Sequence, residues 1–454
     1  MSGPCGFDLA ALRGAMEGVS AATLCTCDAD GLPNASMISQ VHWVDAERVA
    51  LSYQFFNKTR ANILTTGRAC VSVLDVRTLG KYRLNLEYEE TRTEGPLFET
   101  MRAKLAGIAS HHGLEGVFRL LGSDVFRVVG VEEILPPSAA APRRGVSLLA
   151  SARALIAEIL ACRDFDEMSD VLLEGLIRHF GITHAMLLVA EGDGRLFAIG
   201  SRGYATSGVG AEIQSGEGVI GVAAREGVPI RIGHVSTDYR YGAALGAAAL
   251  SAGLLAETPR SVPMPGLGTP HSQIAVPIRS DGAVVGVIFA EASEIMRFWH
   301  EDEDALVIVA SAAGAMAAAF RSAETGESAG AVLPLPPAGD TLTVRRYARD
   351  DSVFFNHDYI IKGVAGAILW RLLTEYHASG RADFTTRELR LDAALKLPEH
   401  AENLDARLVL LRRRLEDRDA GLRIAKTGRG TYRLDVGCGI ELEEIGGAPA
   451  AIAT

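Results

Sequence analysis

Residues Gly216–Ile232 read GEGVIGVAAREGVPIRI, and this stretch decides the architecture of the middle of the chain. Gly216, Gly218 and Gly221 have the spacing of a dinucleotide-binding fingerprint. That fingerprint needs a strand directly before it and an acidic residue about 20 positions on, within one βαβ unit. Here it follows YATSGVGAEIQS (Tyr204–Ser215), which is loop-like, so the dinucleotide reading is rejected.

Upstream lies a helical stretch, roughly Ser151 to Phe180, then the strand-like runs AMLLVA and LFAIGSRG. Downstream come HSQIAVPIRSDGAVVGVIFAEAS (His271–Ser293) and RFWHEDEDALVIVASAAGAMAAAF (Arg297–Phe320). A GxGxxGxxxxxGxP run, a later hairpin and a closing helix, in this order, resemble a GAF domain. The resemblance implies a small-molecule sensor or a dimerisation unit over residues 147–325, and fold alone does not choose between them. Between Tyr241 and Pro270 sits an Ala/Gly/Pro-rich insertion, which reads as a lid over a pocket or a flexible loop. Tyr239, Arg240 and His271 are the candidate ligand contacts. No Cys lies between Cys162 and Cys438, which excludes a thioether-linked bilin in the core of this unit.

The segment before it is strand-dominated. AATLCTCDADGLPNASMISQVHWVDAERVALSYQFF (Ala21–Phe56) alternates β-rich runs with turn signals, and ACVSVLD and DVFRVVGVEEI continue the pattern. GPLFETMRAKLAGIASH interrupts it with helical spacing at Leu97, Met101, Leu105 and Ile108. At QFFNKTRANI (Gln54–Ile63) amides, a Lys and an Arg gather where a strand ends and a helix begins. Backbone N–H groups at a helix start, with two cations, suit a phosphate; a solvated turn is the plainer reading.

This order of elements resembles the FMN-binding split barrel of the pyridoxamine 5′-phosphate oxidase-like superfamily, over roughly residues 20–135 of an expected domain 1–140. Asn57, Lys58 and Thr59 stand where that family has its Ser-Arg-Lys-like phosphate tripeptide, and Asn62-Ile63 stand where it has an Asn-Leu pair. The resemblance implies FMN, with Asn57, Lys58, Thr59 and Arg60 on the phosphate and Gln54 and Phe55 nearer the ring. Thr59 departs from the family's Lys, and the family's Arg/His-rich C-terminal substrate motif is absent. Binding without turnover is therefore the expectation, and no catalytic residue is assigned. Relatives of this barrel bind haem, and His42, His111 and His112 keep haem open as the alternative.

The last segment follows a Gly/Pro-rich linker, Ala323–Asp340. DYIIKGVAGAILWRLLTEYHASG is a helix ending near Gly380, and Thr385 to Glu388 form a capping box. ENLDARLVLLRRRLEDR (Glu402–Arg418) puts Leu404, Leu408, Leu411 and Leu415 on one helical stripe, with Arg413 pointing away from it and Arg412 and Arg414 to either side. LRIAKTGRGTYRLDV closes as a β-hairpin. These residues resemble the winged-helix domain of OmpR/PhoB-type regulators, expected over 341–440. The resemblance implies double-stranded DNA as partner. Arg407, Arg412, Arg413 and Arg414 would lie in the major groove, and Lys426 and Arg429 on the wing. Residues 381–433 carry 13 Lys/Arg against 9 Asp/Glu, a local +4 in a chain of −11. A basic module on an acidic body is the charge map of a DNA reader, although an arginine-rich helix is also an ordinary solvated face.

The fold class expected is thus multidomain α+β: split β-barrel, GAF α/β sandwich, winged helix. The 454 residues exceed one core, and the 48 % apolar content is globular. No segment reads as a signal peptide or approaches ~18 uninterrupted apolar residues, so a cytoplasmic protein without membrane contact is expected. No spacing suggests a metal site. Cys25 and Cys27 share one face of a strand and read as two small buried residues rather than a thiol sensor. The functional expectation is a homodimeric one-component regulator driven by a small-molecule or redox signal. The alternative is a flavin-dependent oxidoreductase with regulatory C-terminal domains.

Overall fold

The computed structural model describes residues 8–16, 22–38, 40–54, 57–75, 77–95, 97–102, 105, 120–138, 147–191, 194–232, 264–268, 270–294, 296–322, 341–392, 395, 404–418, 421–428 and 430–446.

In the first unit, inward and outward side chains alternate along β1 (Ala22–Cys27), β2 (Pro33–Ile38) and β5 (Arg68–Leu74); the inward set is mostly apolar on β1 and β5, whereas β2 turns Asn34 and Ser36 inward and Pro33, Ala35 and Met37 outward. With β3 (Val41–Trp43), β4 (Arg48–Tyr53), β6 (Lys81–Arg92) and β7 (Gly122–Leu135) they form an antiparallel sheet of order β2-β1-β5-β6-β7-β4-β3. Leu24, Ile38, Val41, Leu51, Val71, Leu84 and Phe126, drawn from all seven strands, meet in a single core, so the sheet curls on itself like a barrel. Helix α1 (Asn57–Thr66) connects β4 to β5.

The middle unit opens on two helices, α2 (Leu148–Ala161) and α3 (Phe165–Phe180), where the sequence suggested one. The break has a local cause. Asp164 turns to extended backbone and its carboxylate accepts the N–H of Glu167, while Glu167 accepts the N–H of Arg163, so the chain caps a new helix there. A six-stranded sheet follows, of order β10-β9-β8-β13-β12-β11. Its strands are β8 (His184–Ala190), β9 (Arg195–Arg202), β10 (Glu212–Gln214), β11 (Ile230–Ile232), β12 (Ser272–Ser280) and β13 (Ala283–Ala292). Helices α2, α3 and α5 (His300–Ser322) cover one face, and α4 (Gly218–Glu226) covers the other.

The glycine run sits where β10 hands over to α4. A short strand does precede it, but β10 pairs antiparallel with β9, so no βαβ unit exists at this point. Gly221 is required by packing, since a Cβ there would lie 2.2 Å from the Gln214 carbonyl oxygen. Helix α5 is long and apolar enough to cross a membrane by length and composition. It lies instead against the sheet, with Leu306, Val309, Ala310 and Ala313 buried.

The C-terminal unit holds more strand than its sequence suggested. β14 (Thr341–Tyr347), β15 (Ser352–Phe355) and β16 (Asp358–Ile361) join β20 (Gly439–Ile445) in one sheet, β20 lying parallel to β14. This strand runs beyond the expected boundary at residue 440. Helices α6 (Gly363–Ser379), α7 (Thr386–Leu391) and α8 (Leu404–Arg418) pack with a second sheet of β17 (Asp383–Thr385), β18 (Leu422–Gly428) and β19 (Thr431–Val436). The capping box at Thr385 and Glu388 is present. Leu404, Leu408, Leu411 and Leu415 are all within 1 % of complete burial. Burial contributes about 1.5–3 kcal/mol for each such leucine. Their core is continuous with the helical face of the middle unit, so the two units are packed as one hydrophobic body.

Candidate functional site

The turn between β4 and α1 is built from inside the barrel. Gln54 is buried, Lys58 is exposed on the first turn of α1, and Thr59 is 4 % exposed. The Thr59 hydroxyl accepts from Asn34 Nδ2 at 2.8 Å and donates to Ser36 Oγ at 3.2 Å, which ties the helix to β2. Arg60 turns inward. Its Nη1 lies 2.5 and 2.6 Å from the two oxygens of Asp124, its Nη2 donates to Thr91 Oγ1 at 2.9 Å, and the guanidinium stacks 4.0 Å from the Tyr53 ring centroid. Thr91 gives its single proton to Asp124 at 2.6 Å, so the Tyr88 hydroxyl, 2.6 Å from Thr91 Oγ1, is the donor in that contact. Burial works against the charge on Arg60, but Asp124 outweighs it and raises the arginine above its ordinary pKa.

Of the expected phosphate contacts, then, Thr59 and Arg60 are spent on protein partners. Among the described residues, Lys58 and the first-turn N–H groups of α1 are what the turn presents to an anion. Asn57 opens the helix, but its side chain, like Phe55, His111 and His112, lies outside the described residues. His42 is half-buried on β3.

In the middle unit Tyr239 and Arg240 lie outside the described residues. His271 stands at the start of β12, where its Nδ1 is 2.5 Å from the Ser293 carbonyl oxygen and its N–H bonds Ala292, pinning β12 to the end of β13. The polar cluster on the α4 face is a different one. Glu291, 2 % exposed, accepts from Leu267 N at 2.7 Å and Gln273 Nε2 at 3.1 Å. Burial, then Glu291, raises the pKa of the adjacent Tyr204 far above its ordinary value. Sequence reading missed this carboxylate because it sits inside an apolar strand with no motif around it.

Three arginines of α8, Arg407, Arg412 and Arg413, face the middle unit rather than solvent. Arg407 Nη2 pairs with Glu191 at 2.6 Å and stacks 4.4 Å from the Phe197 centroid. Arg412 Nη2 meets Asp166 at 2.5 Å. Arg413 reaches Asp166 at 2.8 Å, Asp170 at 3.2 Å, Ser169 Oγ at 2.8 Å and the Ile199 carbonyl at 2.8 Å. Gly200 makes room for it, since a Cβ there would lie 2.6 Å from Arg413 Nη1. Lys426 on β18 pairs with Asp164 at 3.0 Å, and Lys362 with Glu212 at 2.9 Å.

Arg414 is different. It is 5 % exposed and donates to the carbonyls of Ile360 (2.9 Å) and Tyr359 (3.3 Å), holding α8 to β16 within its own unit. Burial, with the charge of Arg418 next, lowers its pKa from the ordinary arginine value. In this arrangement each of the expected nucleic-acid contacts Arg407, Arg412, Arg413, Arg414 and Lys426 has a protein partner. Arg429 lies outside the described residues.

Residues 9–130 match the family described as pyridoxamine 5'-phosphate oxidase, and residues 162–318 match the GAF domain family. The barrel resembles an FMN-binding protein from Syntrophomonas wolfei at 21 % identity, over 28 % of this chain and 88 % of that one, with a TM-score of 0.24. It also resembles HupZ from Group A Streptococcus at 22 % identity, over 30 % and 98 % of the two chains, with a TM-score of 0.23. The middle unit resembles the GAF domain of an Acinetobacter phosphoenolpyruvate-protein phosphotransferase at 16 % identity, over 39 % and 97 %, with a TM-score of 0.31. No curated protein matches the chain.

Proposed function

We propose that this chain is a one-component sensor in which the barrel and the GAF domain hold a DNA-binding winged helix masked. The observation that carries the reading is the cationic seam. Lys362, Arg407, Arg412, Arg413 and Lys426 of the C-terminal unit meet Glu212, Glu191, Asp166, Asp170 and Asp164 of the GAF domain. A guanidinium pairs with a carboxylate and a phosphate through the same geometry, so these acids occupy positions that phosphate oxygens would take. The order α6, α7, α8 and a β18–β19 hairpin supports a winged helix. Its reading residues on this proposal are Arg412, Arg413, Lys426 and Arg429. Arg407 and Arg414 belong to the docking and to the module's own core.

Exposure of the module needs a signal that binds the undocked arrangement better than the docked one. In the barrel, Lys58 and the first-turn N–H groups of α1 would hold the phosphate of FMN, while Thr59 and Arg60 build the turn. A bound flavin would supply reversible redox chemistry; haem is the alternative occupant. A homodimer would present two modules to paired half-sites.

Two measurements on the full-length protein test the reading. The visible absorption spectrum, before and after mild reduction, should show a flavin that bleaches; a Soret band would assign haem, and no chromophore would leave the barrel outside the sensing step. Anisotropy of a labelled mixed-sequence duplex at low salt should show tighter binding by an Asp166→Asn/Glu191→Gln chain than by wild type. Arg412→Ala/Arg413→Ala should abolish it. A double amide chain that binds no duplex would remove DNA as the output.

A further inference from the structure

The outer face of the barrel carries a pair of thiols that the reading above does not use. Cys25 on β1 and Cys70 on β5 are directly opposed in an antiparallel pair. Both lie on the outward phase of their strands, Cys25 exposed and Cys70 half-buried, which corrects the expectation that Cys25 and Cys27 are buried. Directly opposed residues of such a pair have Cα atoms about 4.5–5.5 Å apart with side chains on one face. A disulfide needs about 4.4–6.8 Å between Cα atoms, a range that includes this spacing, so closing the bond asks only a small approach of the two side chains. Ala35 is the neighbour of Cys25 on β2, a small residue that leaves the sulfur open to reagents.

We infer that Cys25 and Cys70 form a cross-strand dithiol that closes to a reversible disulfide when a hydroperoxide reaches this face of the barrel. The Cys25 thiolate attacks one peroxide oxygen, the O–O bond breaks, and the alcohol or water leaves as Cys25 becomes a sulfenic acid. The Cys70 sulfur then attacks the Cys25 sulfur, the S–S bond forms, and the hydroxyl leaves as water with the Cys70 proton. Two thiols are oxidised and one hydroperoxide is reduced. Exposure selects the order. Burial raises the Cys70 pKa, against the opposing pull of Arg83, so Cys70 suits the resolving role. Cys162 is buried and its thiol is pushed up to about 11, which leaves it inert under the same treatment. The crosslink would lie one residue from Thr26, whose hydroxyl accepts from Asn62 of α1 at 3.2 Å, and so next to the anchor of the candidate anion turn.

The test treats the folded full-length chain with stoichiometric hydrogen peroxide, alkylates remaining thiols under denaturing conditions, and maps tryptic peptides by mass spectrometry. Wild type and Cys27→Ser should both yield the Gly14–Arg48 peptide joined to Ala69–Arg77, released by dithiothreitol. Cys25→Ser and Cys70→Ser, with far-UV circular dichroism matching wild type, should yield none. A crosslink that survives Cys25→Ser would move the pair to Cys27 and overturn the assignment. So would a folded wild type that gives only sulfinic acid or crosslinks between chains.

Discussion

Asp166 is the acid on which the docking of α8 converges, and replacing it with Ala tests whether the seam holds the C-terminal unit. Its two oxygens serve Arg412 at 2.5 Å and Arg413 at 2.8 Å. An exposed pair contributes about 0.2–1 kcal/mol, and stripping one partner from a buried pair costs about 3–5 kcal/mol. The side chains here are 15 % (Asp166), 21 % (Arg412) and 11 % (Arg413) exposed, between those limits but nearer burial. Arg413 would keep Ile199 O, Ser169 Oγ and Asp170, which reduces the loss. About 2–3 kcal/mol is expected for Asp166→Ala, and about half that for Asp166→Asn, which still accepts hydrogen bonds. Asp170→Ala, at a side chain 46 % exposed, should cost about 0.5 kcal/mol. Because the two units share one core, the midpoint of urea unfolding of the full chain reads all three. A double-mutant cycle of Asp166→Ala with Arg413→Ala should return a coupling of about 1–2 kcal/mol. If Asp166→Ala and Asp170→Ala cost the same, or if the cycle returns no coupling, the ion pairs do not hold the seam.

Three further outcomes are expected. Arg60→Ala leaves Asp124, 3 % exposed, without its bidentate cation and should cost about 3 kcal/mol, against at most about 0.5 for Lys58→Ala; equal urea midpoints would show the Arg60–Asp124 pair to be inconsequential. Gly221→Ala places its Cβ 2.2 Å from the Gln214 carbonyl and 3.0 Å from Gly216 N, backbone atoms that cannot swing aside, and should cost about 1–3 kcal/mol; a neutral change would mean that the glycine turn relaxes freely. Burial pushes the pKa of Asp164 up, but the Glu167 N–H and Lys426 together hold it below the ordinary value. A depressed pKa gives stability that is present above about pH 3.9 and is lost as pH falls through the folded value, so wild type and Asp164→Asn should differ at neutral pH and converge in acid. A difference independent of pH would contradict the pairing.

Much of the candidate site was readable, and the unread part has a common cause. The turn at Gln54–Ile63 was legible because a strand end, polar residues and a helix start are adjacent in the chain. That Arg60 turns to Asp124 was not, since the acid lies on another strand, 64 residues on. The leucine stripe of α8 was legible from period, and the Thr385 cap from local chemistry. The break at Asp164 was local too and was overlooked beneath a continuous apolar pattern. Glu291 left no trace, because one acid in an apolar strand is identified only by what surrounds it in space.

The sequence by itself determined much of the local pattern: alternation in the barrel strands, a glycine run too short of context for a nucleotide, a basic helix with one apolar stripe. These follow from backbone periodicity and from side chains meeting their near neighbours. Only the tertiary structure decided what the cations face. A guanidinium donates to a phosphate and to a carboxylate equally well, and the carboxylates chosen, Asp166 and Glu191, come more than 200 residues before the arginines they hold.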